Sequence, residues 1–272
     1  FTTGPIASGA IALKHNWPLK NDLVDVVNGT NGQNPSLTDD FREGGLNFAV
    51  RKQPVDLATD VPAEILTKSA TLSFSIKTTQ RGSRDPWNSP GIFGSGQVGG
   101  TNDIFWGWID HQGSIRFSIC DNFSVSAGYN IADGKWHDVV ISRNHTTVRV
   151  TISVDDDIRE FKGKSGIFGF TQKFTKMGEI AGSNQKFSGV LANVKIFDGQ
   201  LSLSQQRRVL GKAPTMASDA VVGASTTFTP AKLQLFGKRF KWNFGDSSPQ
   251  NRPTTPRCPP GGCSRGRRGL RG

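Results

Sequence analysis

The 272 residues are enough for one large β-sandwich and too few for three ordinary domains. With 32 glycines, 14 prolines and one tyrosine, and short Val/Ile/Phe-rich runs between turn signals, the chain favours strands over long helices. Its formal charge of +11 is uneven: residues 1–231 carry 23 Lys and Arg against 21 Asp and Glu, whereas residues 232–272 carry 10 against Asp246 alone, so the basicity belongs to the tail and gives the body no nucleic-acid signature.

Residues 1–10 read as a leader segment, and the start at Phe1 without Met implies a removed leader or a fragment. Ile11–Leu19 reads as a strand stopped by Pro18, followed by a turn through a Gly/Asn-rich loop. Strands are expected at Leu46–Val50, Val55–Leu57 and Ala70–Lys77, the last with Leu72, Phe74 and Ile76 on one face at period two. Arg81–Gly100, dense in Gly, Pro, Ser and Asn, reads as loop, and Ile104–Ile109 and Ser114–Ile119 as a hairpin. Trp136–Arg143 and Thr147–Val154 form a second hairpin, with Trp136, Val139 and Ile141 assigned to the core face and His137, Asp138 and Ser142 outward. Asp155-Asp156-Asp157 reads as a solvated turn, because adjacent carboxylates at a strand end alternate faces and seldom converge on one metal. Strands at Gly178–Ala181 and Gly189–Phe197 precede one helix over Ser202–Leu210, capped by Ser202 and stopped at Gly211. Short strands at this spacing predict an all-β, two-sheet antiparallel jelly-roll sandwich.

The stretch Asp133-Gly134-Lys135-Trp136-His137-Asp138-Val139-Val140-Ile141-Ser142-Arg143 resembles the central hairpin of laminin-G-like domains, of the concanavalin A-like, pentraxin-type class. Its neighbours keep the family's order: Trp17-Pro18-Leu19, Gly45-Leu46-Asn47-Phe48, Ser73-Phe74-Ser75-Ile76, Val154-Asp155-Asp156 and Phe187–Phe197. The resemblance covers about residues 11–210 and implies a lectin-like sandwich that binds glycan or an extracellular protein at one loop rim, often near calcium. It places calcium ligands at Asp103, at a carbonyl near Asp121 and, by a register slip from Lys173, at Gln172. The ligand-binding candidates are Trp87, in a Pro/Asn/Ser loop, with Asp103 and Asp121; Trp106 and Trp108 read as sharing one strand face in the core.

Three sequons, at Asn28, Asn122 and Asn144, would permit N-glycosylation and lean the chain toward a secreted or surface-exposed location. No run approaches the roughly 18 apolar residues of a membrane helix. Catalysis is not expected: Glu43, Glu64, Glu160 and Glu179 are isolated, the four histidines lack metal-ligand spacing, and no nucleophile elbow or phosphate loop occurs.

The domain reading is thus a sandwich over 11–212, an extension over 213–248 with a possible extra strand pair, and a Pro/Gly/Arg/Cys-rich tail over 249–272. In the tail, glycine recurs at 266, 269 and 272, and Cys258 and Cys263 could crosslink chains beneath a collagen-like stalk. A structureless basic tail and an electrostatic arm for an acidic polymer remain open beside it. The leading functional reading is a binding module. The alternative is a structural subunit of a fibre, filament, matrix or virion that self-assembles through the sandwich and tail.

Overall fold

The computed structural model describes residues 10–61, 63–95, 103–119, 123–163, 174–180 and 185–211. The chain separates into units Phe1–Val222 and Gly223–Gly272, and the description concerns the first. The leader, the extension from 213 and the tail with Cys258 and Cys263 lie outside the described residues, apart from Ala10.

The described strands, in chain order, are β1 (Leu13–Trp17), β2 (Leu46–Asn47), β3 (Val55–Val61), β4 (Ala70–Lys77), β5 (Gly91–Ser95), β6 (Ile104–Ile109), β7 (Ile115–Ile119), β8 (Phe123–Ser126), β9 (Trp136–Asn144), β10 (Arg149–Val154), β11 (Asp157–Lys162), β12 (Phe174–Met177), β13 (Glu179–Ile180) and β14 (Val190–Phe197). Helices are brief: α1 (Phe48–Arg51), α2 (Ala63–Leu66) and α3 (Leu203–Val209). A seven-stranded sheet runs β1-β14-β4-β9-β10-β11, with β2 also on β14, and a five-stranded sheet runs β13-β5-β6-β7-β8. β3 pairs with β12. Pairing is antiparallel except between β13 and β5.

One apolar core fills the space between the sheets. Leu72, Phe74 and Ile76 of β4, Val139 and Ile141 of β9, and Val150, Ile152 and Val154 of β10 enter it from the larger sheet, facing Phe93, Ile104, Trp106 and Phe117. Each such side chain contributes about 1.5–3 kcal/mol on leaving water. The alternate positions of the larger sheet carry hydroxyls at Thr71, Ser73, Ser75, Ser142, Thr151 and Ser153, so one face is apolar and the other polar.

Several local features differ from the sequence reading. Trp136 does not enter the core: alternation back from Ile141 and Val139 brings His137 inward, and Trp136 points outward, 40% exposed. Phe48–Arg51 turns helical, because the Asn47 side chain accepts from Ala49 N and caps it. The Gly-rich run after Arg81 contains a 3₁₀ turn over Pro86–Asn88 and then β5. Gly91 and Gly94 fit that strand because Ile180 lies against them: an added Cβ would stand 2.6 and 2.9 Å from its side chain. Asp155 and Asp156 form the expected turn, and α3 follows a capping box between Ser202 and Gln205.

Candidate functional site on the outer face of the five-stranded sheet

The outer face of the five-stranded sheet is set by one bulge. Trp106 pairs with Phe117 and Trp108 with Arg116, leaving Gly107, at φ +76°, as the extra residue of β6. The bulge turns Trp106 into the main core, where its Nε1 donates to Leu66 O, and Trp108 to the opposite face. The expected common face for the two tryptophans is therefore not found. Phe105, Trp108 and Ile180 make a second apolar cluster there.

Trp87 borders that cluster. Its 3₁₀ turn is fixed by Pro86 at the first position, by Asp85 Oδ1 accepting from Asn88 N at 3.1 Å, and by Ser89 Oγ donating to Asp85 O at 2.6 Å. The half-buried indole meets the Phe105 ring edge-to-face, with centroids 5.1 Å apart. Arg116 stands over Trp108, its guanidinium 5.1 Å from the indole centroid. Arg116 Nη1 donates to Asp110 Oδ2 at 2.9 Å and Nη2 to Ser124 Oγ at 3.3 Å. Trp108 Nε1 donates to Ser118 Oγ at 2.8 Å, and Ser118 Oγ donates to Ser124 Oγ at 2.9 Å. Phe105, Trp108 and Ser118 are themselves buried, so the accessible groups here are the Trp87 indole, the Arg116 guanidinium and the Ser124 hydroxyl, which are able to stack on and hydrogen-bond a polyol.

Of the ligand- and metal-binding candidates read from the sequence, Trp87 and Asp103 are among the described residues. Asp103 is buried directly before β6, two positions from the Phe105 on which Trp87 packs. Asp121, Gln172, Lys173 and the sequon residue Asn122 lie outside the described residues. Arg116 and Asp110 were not singled out. The signal for Arg116 is the Ile115/Phe117/Ile119 alternation, which puts Arg116 and Ser118 on the face opposite the core.

Residues 52–205 match the family described as the concanavalin A-like lectin/glucanases superfamily, more than half of the chain. The chain belongs to that superfamily. Among solved structures, domain 4 of a GH43 extracellular arabinanase from Geobacillus stearothermophilus, in complex with arabinotriose, shares the fold at TM-score 0.54 and 17% identity, covering 73% of this chain and 98% of that one. The CBM40 of a Ruminococcus gnavus sialidase aligns at TM-score 0.46 and 13% identity, over 59% of this chain and 97% of its own. Domains LG4-5 of the mouse laminin α1 chain align at TM-score 0.35 and 15% identity, over 50% and 37%. No curated protein matches the chain.

In this concanavalin A-like domain three glutamates stand in separate ion pairs: Glu43 with Lys77, Glu160 with Arg149, and Glu179 with Lys176. At the start of β9, His137 lies between two carboxylates, with Nδ1 2.8 Å from Asp155 and Nε2 3.0 Å from Asp133. Burial disfavours its charged form, but these two partners outweigh it and hold the imidazole above its ordinary pKa. Among the described residues no group of three His, Cys, Asp or Glu side chains is placed to hold a metal. No described helix is long and apolar enough to cross a membrane. Of the sequons, Asn28 is exposed in a turn, and Asn144 is half-buried at the end of β9 with its Oδ1 accepting from Thr147 N.

Proposed function

We propose that this domain is a non-catalytic, secreted binding module that takes a glycan on the outer side of its five-stranded sheet, beside Trp87. The observation that carries this reading is the half-exposed Trp87 ring, fixed on Phe105 at the border of the cluster whose Trp108 meets the Arg116–Ser118–Ser124 network. An indole face covers the C–H side of a sugar while fixed donors and acceptors take its hydroxyls. The arabinanase domain of the same fold was solved with arabinotriose, which makes an oligosaccharide the first ligand class to test.

The test is a glycan array followed by calorimetry on the best saccharide. Trp87→Ala is expected to weaken binding about tenfold or more while leaving the melting temperature within a few degrees, and no reducing ends should be released. Equal affinity of Trp87→Ala and the parent overturns the placement, and an array without hits overturns the glycan in favour of a protein ligand.

Calcium at the Asp103 rim belongs to the same proposal. A hard cation needs six to eight oxygens, and the Asp103 carboxylate would supply the first of them. Bound calcium raises the melting temperature, because it stabilises the native state alone. A melting curve unchanged by chelator and by added calcium removes the ion from the proposal.

A further inference from the structure

The seven-stranded sheet ends in a cup of about 560 Å³, away from the Trp87 face, lined by groups from four successive strand ends. In lateral order these are Lys14 of β1, Asp198 just after β14, Lys68 and Ser69 just before β4, and His145 with Thr146 just after β9. Neighbouring strands lie about 4.8 Å apart, so the cup spans about 15 Å. Ile65, part of α2 and packed on the core, gives it one apolar wall.

The polarity of the cup is set from beneath. Arg143, 2% exposed, donates from Nη1 to Thr67 O at 2.8 Å and from Nη2 to His145 Nδ1 at 3.2 Å. A guanidinium can only donate, so His145 accepts at Nδ1 and carries its proton on Nε2. Burial, then the charges of Arg143 and Lys68, hold the His145 pKa below its ordinary value, which keeps that tautomer neutral. Ser69 Oγ accepts from His145 N at 2.9 Å, an arrangement that aims its own proton elsewhere. The acid on the lip, Asp198, is engaged by Lys14 at 3.0 Å and by Ala12 N at 2.7 Å. Among the described residues, the cup is lined beyond that pair by the exposed Lys68 ammonium, the His145 imidazole and the hydroxyl-bearing Ser69 and Thr146, with the guanidinium of Arg143 buried beside His145.

We infer that this cup is an oxyanion-binding site, in which Lys68, His145, Ser69 and Thr146 receive a sulfate or carboxylate group and Ile65 takes the carbon skeleton that bears it. Three kinds of donor around one pocket satisfy several oxygens of one anion, and charge-assisted hydrogen bonds to it are the stronger sort. The site is independent of the Trp87 face, so one can fail while the other stands.

The experiment titrates the whole chain with sodium sulfate, sodium glucuronate and glucose against sodium chloride at constant ionic strength, following melting temperature and the His145 ring resonances. Saturable shifts with sulfate or glucuronate, absent with glucose and chloride, are expected. Tighter glucuronate than sulfate assigns the anion to an acidic saccharide, and equal or tighter sulfate assigns it to the free or ester anion. Lys68→Gln should weaken binding about tenfold, while His145→Gln, which keeps a side-chain N–H donor, should weaken it less than His145→Leu. Trp87→Ala should leave it unchanged. Shifts no larger than those of chloride, or undiminished in Lys68→Gln, overturn the site.

Discussion

Trp106 and Trp108, two positions apart in β6, face opposite sides of the five-stranded sheet, because Gly107 between them is an extra residue in a left-handed conformation. One residue thus supplies a core anchor on one side and the base of the candidate site on the other. A Cβ at 107 would lie 3.2 Å from both Ile92 Cγ1 and Phe74 Cζ, in addition to the strain of φ +76°. Gly107→Ala is therefore expected to cost about 1–3 kcal/mol. Denaturant unfolding checks it, and a midpoint equal to the parent's would show that the bulge does not need glycine.

His137 makes stability depend on pH in a definite direction. Asp155 and Asp133 raise its pKa in the folded state, so its contribution is complete below the ordinary histidine pKa and is lost as pH rises through the folded value. Melting temperature measured from pH 5 to pH 9 should show that loss in the parent and not in His137→Gln. An NMR titration of the ring should place its midpoint above that of a free histidine. A midpoint at or below the free value would refute the clamp.

The parts of this fold legible in the sequence are those where one physical rule acts alone. Leu72, Phe74 and Ile76 alternate because β4 has a dry face and a hydroxyl-bearing face, and Ser202 to Gln205 announces α3 through its own capping groups. β5 is illegible because Gly91 and Gly94 have given up their side chains to Ile180, a residue more than 85 positions away, and the segment then reads as loop. Trp136 misleads because its size suggests a core anchor, whereas the parity set by Val139 and Ile141 puts it outside. In the candidate site Trp87 is visible as an aromatic among turn residues. Its setting is not, because Arg116 meets Trp108 only after the bulge has turned that indole over.

Asp25 holds the first turn to β1. Its carboxylate sits 2.8 Å from His15 Nδ1 and accepts from Asn16 N at 2.9 Å, Val27 N at 3.1 Å and Thr30 N at 3.3 Å. Next to it, the His15 ring stacks on Trp17 at 5.1 Å, and Trp17 Nε1 donates to Thr30 O. Burial raises the Asp25 pKa, but the bonds from Asn16, His15 and Val27 more than offset this and leave it lowered. Its contribution is present above the ordinary aspartate pKa and disappears as pH falls through the depressed value. Asp25→Ala strands several donors at once and should cost about 3–5 kcal/mol, read from urea unfolding at neutral pH. A cost under about 1 kcal/mol would mean that the turn is held by other contacts.

α3 rests on the larger sheet largely through one side chain. Gln206, fully buried, donates from Nε2 to Thr151 Oγ1 at 3.1 Å and to Leu201 O at 2.8 Å, while Leu203 on the same helix is 46% exposed. The Leu201 N–H in turn donates to Thr71 Oγ1 and Ser142 Oγ, each at 3.1 Å, so β4, β9, β10 and the helix entry share one buried hydroxyl cluster. Gln206→Leu keeps the volume but removes both donors, leaving buried oxygens that lose their partner at about 1–3 kcal/mol. Because the sheet core does not depend on this contact, the loss should be local. Amide exchange in Gln205–Leu210 should quicken well before that in β4 or β9, whereas uniform quickening would make Gln206 a determinant of the whole sandwich.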